Sequence, residues 1–140
     1  MKSARLETTV LDANVVLGVL EGRRGAERAR KLIRQAGEGR MQLLMSVINW
    51  GEVYYTVWRK RGLQAAETVL QQITELRVLV VNADPELTKL AATFHATYKL
   101  PYADCFAAAL AQQRRATLAT GDSDFARVEK QVKILWTTEQ

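Results

Sequence analysis

The chain has 140 residues, 48% of them hydrophobic and 25% charged, with a formal net charge of +5 and a sequence pI of about 9.6. Such values fit a single globular domain spanning 1–140. The lone cysteine, Cys105, excludes an internal disulfide framework and a cysteine-based zinc site, and no run nears the ~18 apolar residues of a membrane span. Glu7 and Asp12 interrupt the apolar core that a signal peptide needs. A cytoplasmic location without membrane association is therefore expected.

Thr8 to Leu11 is a short β-branched and apolar run ending in Asp12, which predicts a buried parallel strand delivering a carboxylate to the sheet's edge. Asn14 is the expected cap of a short helix through Leu20. A glycine-bounded breaker, Glu21 to Gly25, leads into a basic helix over 26–36, whose Ala29, Leu32, Ile33 and Ala36 recur at helical spacing. Its arginines should face outward. Gln42 to Met45 is the second strand, and Ser46 caps the next helix. There Trp50, Val53, Tyr54, Val57 and Trp58 form an apolar stripe, read as core, while Ser46, Asn49 and Glu52 form a polar column at steps of three.

Gly62 ends that helix and another runs over 64–76. Val78 to Val81 is continuously apolar, as expected of a parallel strand covered on both faces. Asp84-Pro85 opens a helix to about Tyr98, with the proline at its first position. A further helix follows Pro101, over 102–114. Thr117 to Ala119 is the fourth strand, running into Thr120-Gly121-Asp122. A helix over 125–130 and a last strand over 133–136 complete the chain. This alternation implies an α/β fold: a three-layer α/β/α sandwich around a central, mostly parallel sheet.

Four carboxylates share one kind of address. Asp12 follows the first strand, Glu52 lies early in the helix after the second, and Asp122 follows the fourth. Asp104 opens the helix before the fourth strand, and it joins the others only if that helix starts at the same sheet edge. Singly, each acid has an ordinary role open to it, such as complementing a helix dipole for Asp104 or capping a turn for Asp122 or Asp124. Together in one low-dielectric pocket they would repel one another and raise one another's pKa. A hard divalent cation, Mg²⁺ or Mn²⁺, relieves that repulsion, since oxygen-only ligands favour such an ion. Asn14 and Thr120 add neutral oxygens able to orient carboxylates or water.

The stretches Val10-Leu11-Asp12-Ala13-Asn14, Ser46 to Val53, Leu100 to Ala109 and Ala119 to Phe125 occur in an order that resembles the PIN domain, and more narrowly the VapC-type toxin ribonucleases of toxin–antitoxin pairs. The resemblance spans almost the whole chain. It implies a catalytic, metal-binding quartet of Asp12, Glu52, Asp104 and Asp122, with Asn49 and Thr120 in supporting positions. Asn14 stands where the family often carries serine or threonine, and Asp124 matches a frequent extra acid near the pocket. The resemblance further implies a homodimer and a small VapB-like antitoxin that covers the active site.

The reaction so implied is metal-dependent hydrolysis of an RNA phosphodiester, an endoribonuclease activity. Arg23, Arg24 and Arg28, within a basic stretch that continues through Arg34, are candidate contacts for the RNA backbone. Arg59-Lys60-Arg61 and Arg114-Arg115 form two further basic clusters, each open to reading as a solvated helix face or as a backbone contact. Two alternatives stand beside it: a catalytically silent RNA- or partner-binding module of the same fold, and an aspartyl-nucleophile phosphatase, which usually needs a second acid where this chain has Asn14. The single histidine, His95, lies on an apolar-patterned helix, so a histidine-pair ribonuclease is excluded by count. Cys105 reads as a buried structural thiol.

Overall fold

A computed structural model describes residues 6–138, so residues 1–5 and 139–140 of the expected 1–140 domain lie outside the described residues. Five parallel strands form one sheet: β1 (Glu7–Leu11), β2 (Met41–Ser46), β3 (Val78–Val81), β4 (Thr117–Thr120) and β5 (Ile134–Trp136), in the order β3-β2-β1-β4-β5. The register sets Val10 beside Leu44 and Leu118, at the heart of the sheet. Six helices connect the strands: α1 (Ala13–Glu21), α2 (Ala26–Gly37), α3 (Val47–Arg61), α4 (Leu63–Glu75), α5 (Pro85–Tyr98) and α6 (Tyr102–Arg114).

Pleat alternation divides the core into two layers. Val10, Leu44 and Leu118 pack with α5 and α6, while Leu11, Leu43, Met45, Val78 and Ala119 pack with α1 to α4. The helix patterns explain that sorting. In α2 the alanines 29 and 36 and Leu32 are buried and the arginines point outward. In α6 seven consecutive residues, Cys105 to Ala111, are buried, as expected of a helix that is apolar all round.

Four expectations change. Asp12, not Asn14, caps α1: its Oδ1 accepts from the Val15 amide at 3.0 Å, because the helix starts two residues earlier than a cap at Asn14 would set it, at Ala13. β3 is an edge strand rather than one covered on both faces, and Leu79 is 51% exposed. Of the α3 stripe, Val53 and Val57 are buried and Trp50 and Tyr54 partly so, but Trp58 at the far end is exposed. It stacks edge-on against Tyr54 instead of entering the core. The segment after β4 is a 3₁₀ helix over Ser123–Val128, started by the Asp122 carboxylate, which accepts from the Asp124 amide at 2.9 Å. Short, cap-driven segments take the tighter helix readily.

The topology places the site. The strand order reverses beside β1, whose neighbours are β2 on one side and β4 on the other. In an open parallel sheet, the crevice beyond the carboxyl ends of the strands at such a reversal is the binding position. α1 and α3 start at that edge because they follow β1 and β2. α6 starts there too, since it must run back against the strand direction to feed parallel β4.

Candidate active site

Asp12, Glu52, Asp104 and Asp122 all line one cleft of about 250 Å³ at this edge, with Asn14, Leu17, Arg23, Thr56 and Lys60. The condition set on Asp104 is met: the parallel sheet brings the N-terminus of α6 to the same edge as the ends of β1 and β4. One carboxylate oxygen from each of Asp104, Asp122 and Asp124 also lies within 4.8 Å of the other two. Asp124 therefore joins the constellation through its neighbours rather than through the cleft wall.

Each acid is fixed by its surroundings. Asp12 is 4% exposed, and its Oδ2 accepts from the Thr120 hydroxyl at 2.6 Å. That hydroxyl oxygen accepts in turn from the Asp122 amide at 3.0 Å, so Thr120 ties the ends of β1 and β4 together. Glu52 Oε1 accepts from Asn49 Nδ2 at 2.8 Å, and the same amide nitrogen donates to the Ala103 carbonyl at 3.1 Å. Asn49 thus couples the polar face of α3 to the start of α6, next to Asp104. Its Oδ1 is buried without a hydrogen-bond partner.

The electrostatics follow from burial and crowding. Burial pushes the Asp12 carboxyl up to about 7, against its hydrogen bonds from Thr120 and Val15 and with the charges of Asp122 and Glu52 adding to it. Burial, then the charges of Asp122, Asp12, Glu52 and Asp124, push Asp104 up to about 7 as well. Glu52 is raised by burial, which outweighs the Asn49 bond. Side chains this crowded with like charge hold their protons until a cation compensates them. The donors are all oxygen, which fits a hard divalent ion and not a thiolate- or imidazole-seeking one.

The other candidates fall in several places. Asn14 lines the cleft. Arg23 lines it too, whereas Arg24 lines an adjoining hollow between α1, α2 and the chain after β5. Arg28 donates from Nη1 to the Trp136 carbonyl at 2.7 Å and braces α2 against β5. His95 bonds through Nδ1 to the Leu100 carbonyl at 2.6 Å, on the α5/α6 side. Burial drives the Cys105 thiol up to about 11, which leaves it inert. The sequence reading missed Thr56, and it placed Lys60 only within the Arg59-Lys60-Arg61 cluster, not at the cleft. Thr56 and Lys60 follow Glu52 at steps of four, a spacing that sets all three on one face of α3.

The family model of the PIN domain matches residues 9–131. The chain belongs to the PIN domain family. No curated protein sequence matches it significantly. Among solved structures it is similar to a toxin–antitoxin complex from Klebsiella pneumoniae, at 24% identity over 94% of this chain and 99% of that one, with a TM-score of 0.67. VapBC-1 from nontypeable Haemophilus influenzae gives 19% identity over 94% and 99%, with a TM-score of 0.72. VapC20 from Mycobacterium tuberculosis, a toxin that cleaves the sarcin–ricin loop, gives 15% over 84% and 92%, with a TM-score of 0.68. At these identities the likeness is one of fold, and it runs nearly the full length of each chain. Among the described residues no helix is long and apolar enough to cross a membrane.

Proposed function

We propose that this PIN domain is a metal-dependent endoribonuclease of the VapC type, the toxin of a toxin–antitoxin pair. The observation that carries the proposal is the meeting of Asp12, Glu52, Asp104 and Asp122 in one cleft, from four separate stretches of the chain. A cleft that gathers four carboxylates has little use in stability, because burying uncompensated acids opposes folding. The description of one neighbour as a toxin–antitoxin complex and of another as a toxin supports the same role here, with a small antitoxin as partner; a homodimer as the working form and the cytoplasm as the location complete the proposal.

Asp12, Glu52, Asp104 and Asp122 would hold a Mg²⁺ or Mn²⁺ ion, centred where the carboxylate oxygens of Asp104 and Asp122 converge with that of Asp124. Such an ion would supply Lewis-acid polarisation of the phosphoryl oxygen and lower the pKa of a bound water. The protein's own part is positioning. Thr120 fixes the Asp12 carboxylate and the backbone before Asp122, and Asn49 fixes Glu52 beside the start of α6. The positive ends of α1 and α6 point their free amides toward the same cleft, which favours negative charge there. Asn14, an amide where an aspartyl phosphatase usually has a second acid, gives a leaving group no proton, so a phospho-enzyme route is poorly served.

The test is incubation of the purified chain with labelled single-stranded RNA in Mg²⁺ or Mn²⁺, beside a chelator control. The expected result is cutting that needs the ion and falls more than about 100-fold in Asp104→Asn, beyond the loss typical of a supporting residue. RNA binding without cutting in either metal would favour the silent module instead.

A further inference from the structure

Glu21, the last residue of α1, holds two cations at the mouth of the acidic cleft. Lys60 Nζ lies 3.0 Å from its Oε1, and Arg23 Nε lies 3.4 Å from its Oε2. Both cations line the cleft itself. They come from different elements, Lys60 from the end of α3 and Arg23 from the turn after α1, and they meet over the same wall. Exposed ion pairs add little to stability, so folding alone is a weak reason for such a pair. Lys60 and Arg23 remain half exposed, at 57% and 44%, with donors free to face solvent. Glu21 is 25% exposed, and the Lys60 hydrogen bond leads the effects that hold its carboxyl below the usual range.

The placement has a chemical consequence. Two cations this near four carboxylates would otherwise be drawn onto them and compete with any ion held there. Glu21 supplies a nearer anion and keeps the pair at the mouth. Lys60 lies two turns beyond Glu52 on the same face of α3, roughly 12 Å along the helix axis. At that distance it meets a phosphate flanking the one being cut. We propose that Arg23 and Lys60 form a clamp on the RNA backbone beside the scissile bond, and that Glu21 is the positioning residue that holds both. This assignment rests on the ribonuclease function proposed above.

The test measures binding and cleavage separately. Binding of a labelled, mixed-sequence single-stranded RNA is followed in the Asp104→Asn background in Mg²⁺, so that the strand stays intact. Lys60→Met and Arg23→Met are each expected to weaken binding about 5- to 10-fold and to flatten the salt dependence by ~0.7 in log–log slope, the value for one lost single-strand phosphate contact. Lys89→Met removes the same charge from the exposed face of α5, away from the cleft, and should leave affinity and slope as they were. Glu21→Gln should bind RNA within about twofold of normal in the Asp104→Asn background, yet in the otherwise wild-type enzyme show kcat reduced about 5-fold, a split that a merely structural residue would not produce. If the wild type cuts RNA while Lys60→Met and Arg23→Met bind as it does, the clamp is overturned and the ribonuclease stands. An unchanged kcat in Glu21→Gln overturns the positioning role. A wild type that neither binds nor cuts RNA overturns both the ribonuclease and the clamp.

Discussion

Replacing Asp12 by asparagine should stabilise the metal-free protein at alkaline pH while removing its ability to gain stability from metal. The reasoning begins with the Asp12 carboxyl, 4% exposed and raised from its usual 3.8 to about 7. An acid whose folded-state pKa lies above its unfolded value binds its proton more tightly in the fold. Its contribution is therefore fully present below about pH 4 and is lost as the pH rises through 7. At 1.36 kcal/mol per pH unit, holding Asp12 ionised at pH 8 costs the fold on the order of 4 kcal/mol. Asp104, raised in the same direction, adds to the trend. Asparagine keeps the α1 cap, since its Oδ1 can still accept from the Val15 amide. It loses the bond from the Thr120 hydroxyl, which already holds the raised pKa down and so counts here only as a neutral bond, roughly 0.5–1.5 kcal/mol.

The net gain at pH 8 in chelator is then about 3 kcal/mol, a rise in melting temperature on the order of 10 °C. At pH 4.5 the advantage should vanish or reverse, because the wild-type carboxyl is already protonated in the fold. Thermal unfolding followed by circular dichroism at the two pH values gives the comparison directly. Added Mn²⁺ at 100 times its dissociation constant should stabilise the wild type by about 2.7 kcal/mol and the variant far less. An Asp12→Asn protein less stable than wild type at both pH values in chelator would refute the electrostatic account of the cleft.

Two further substitutions probe the supports of the site. Thr120→Val removes the hydroxyl that bridges Asp12 and the Asp122 amide, and Mn²⁺ affinity measured by calorimetric titration should fall about 10- to 100-fold with the fold retained. Gly25→Ala should cost about 2–3 kcal/mol in urea unfolding, because the residue sits at φ +89° and a Cβ there would lie 2.6 Å from the Thr137 carbonyl oxygen. Unchanged stability in that variant would mean that the chain after β5 does not pack against the α1–α2 turn as described.

Much of the site was legible in the sequence because each acid stands beside a strand end or helix start that has its own local signal. Asp12 follows a β-branched run, Glu52 falls on the polar column with Asn49, and Asp122 follows Thr120 at the end of a short apolar strand. Asp104 was different. Its address depended on which way α6 runs, and only the parallel pairing of β4 with β1 decides that. The errors came from features with no local signature. Val78 to Val81 is as apolar as a central strand, yet nothing in those four residues reports that no strand lies beyond it. Trp58 continues the Val53–Val57 stripe by spacing, but the core ends before its turn of α3. Asn14 and Asp12 are both good caps, and the choice between them was a matter of where the first helical residue falls. Lys60 was visible as one of the three cations of Arg59-Lys60-Arg61, a solvated face or a backbone contact, but nothing in that run singled it out as the one two steps of four beyond Glu52 that lines the cleft.

The most direct test of the central claim is the rate of RNA cleavage against added Mn²⁺, with the ends of the products identified, for wild type beside Asp104→Asn. Expected is a saturable rise in the wild type that is lost in the variant. The products should carry 5′-phosphate and 3′-hydroxyl ends, because water rather than the neighbouring 2′-hydroxyl attacks phosphorus. Cleavage that persists in chelator, survives Asp104→Asn, or leaves 2′,3′-cyclic phosphate ends would contradict a nuclease built on this acidic cleft.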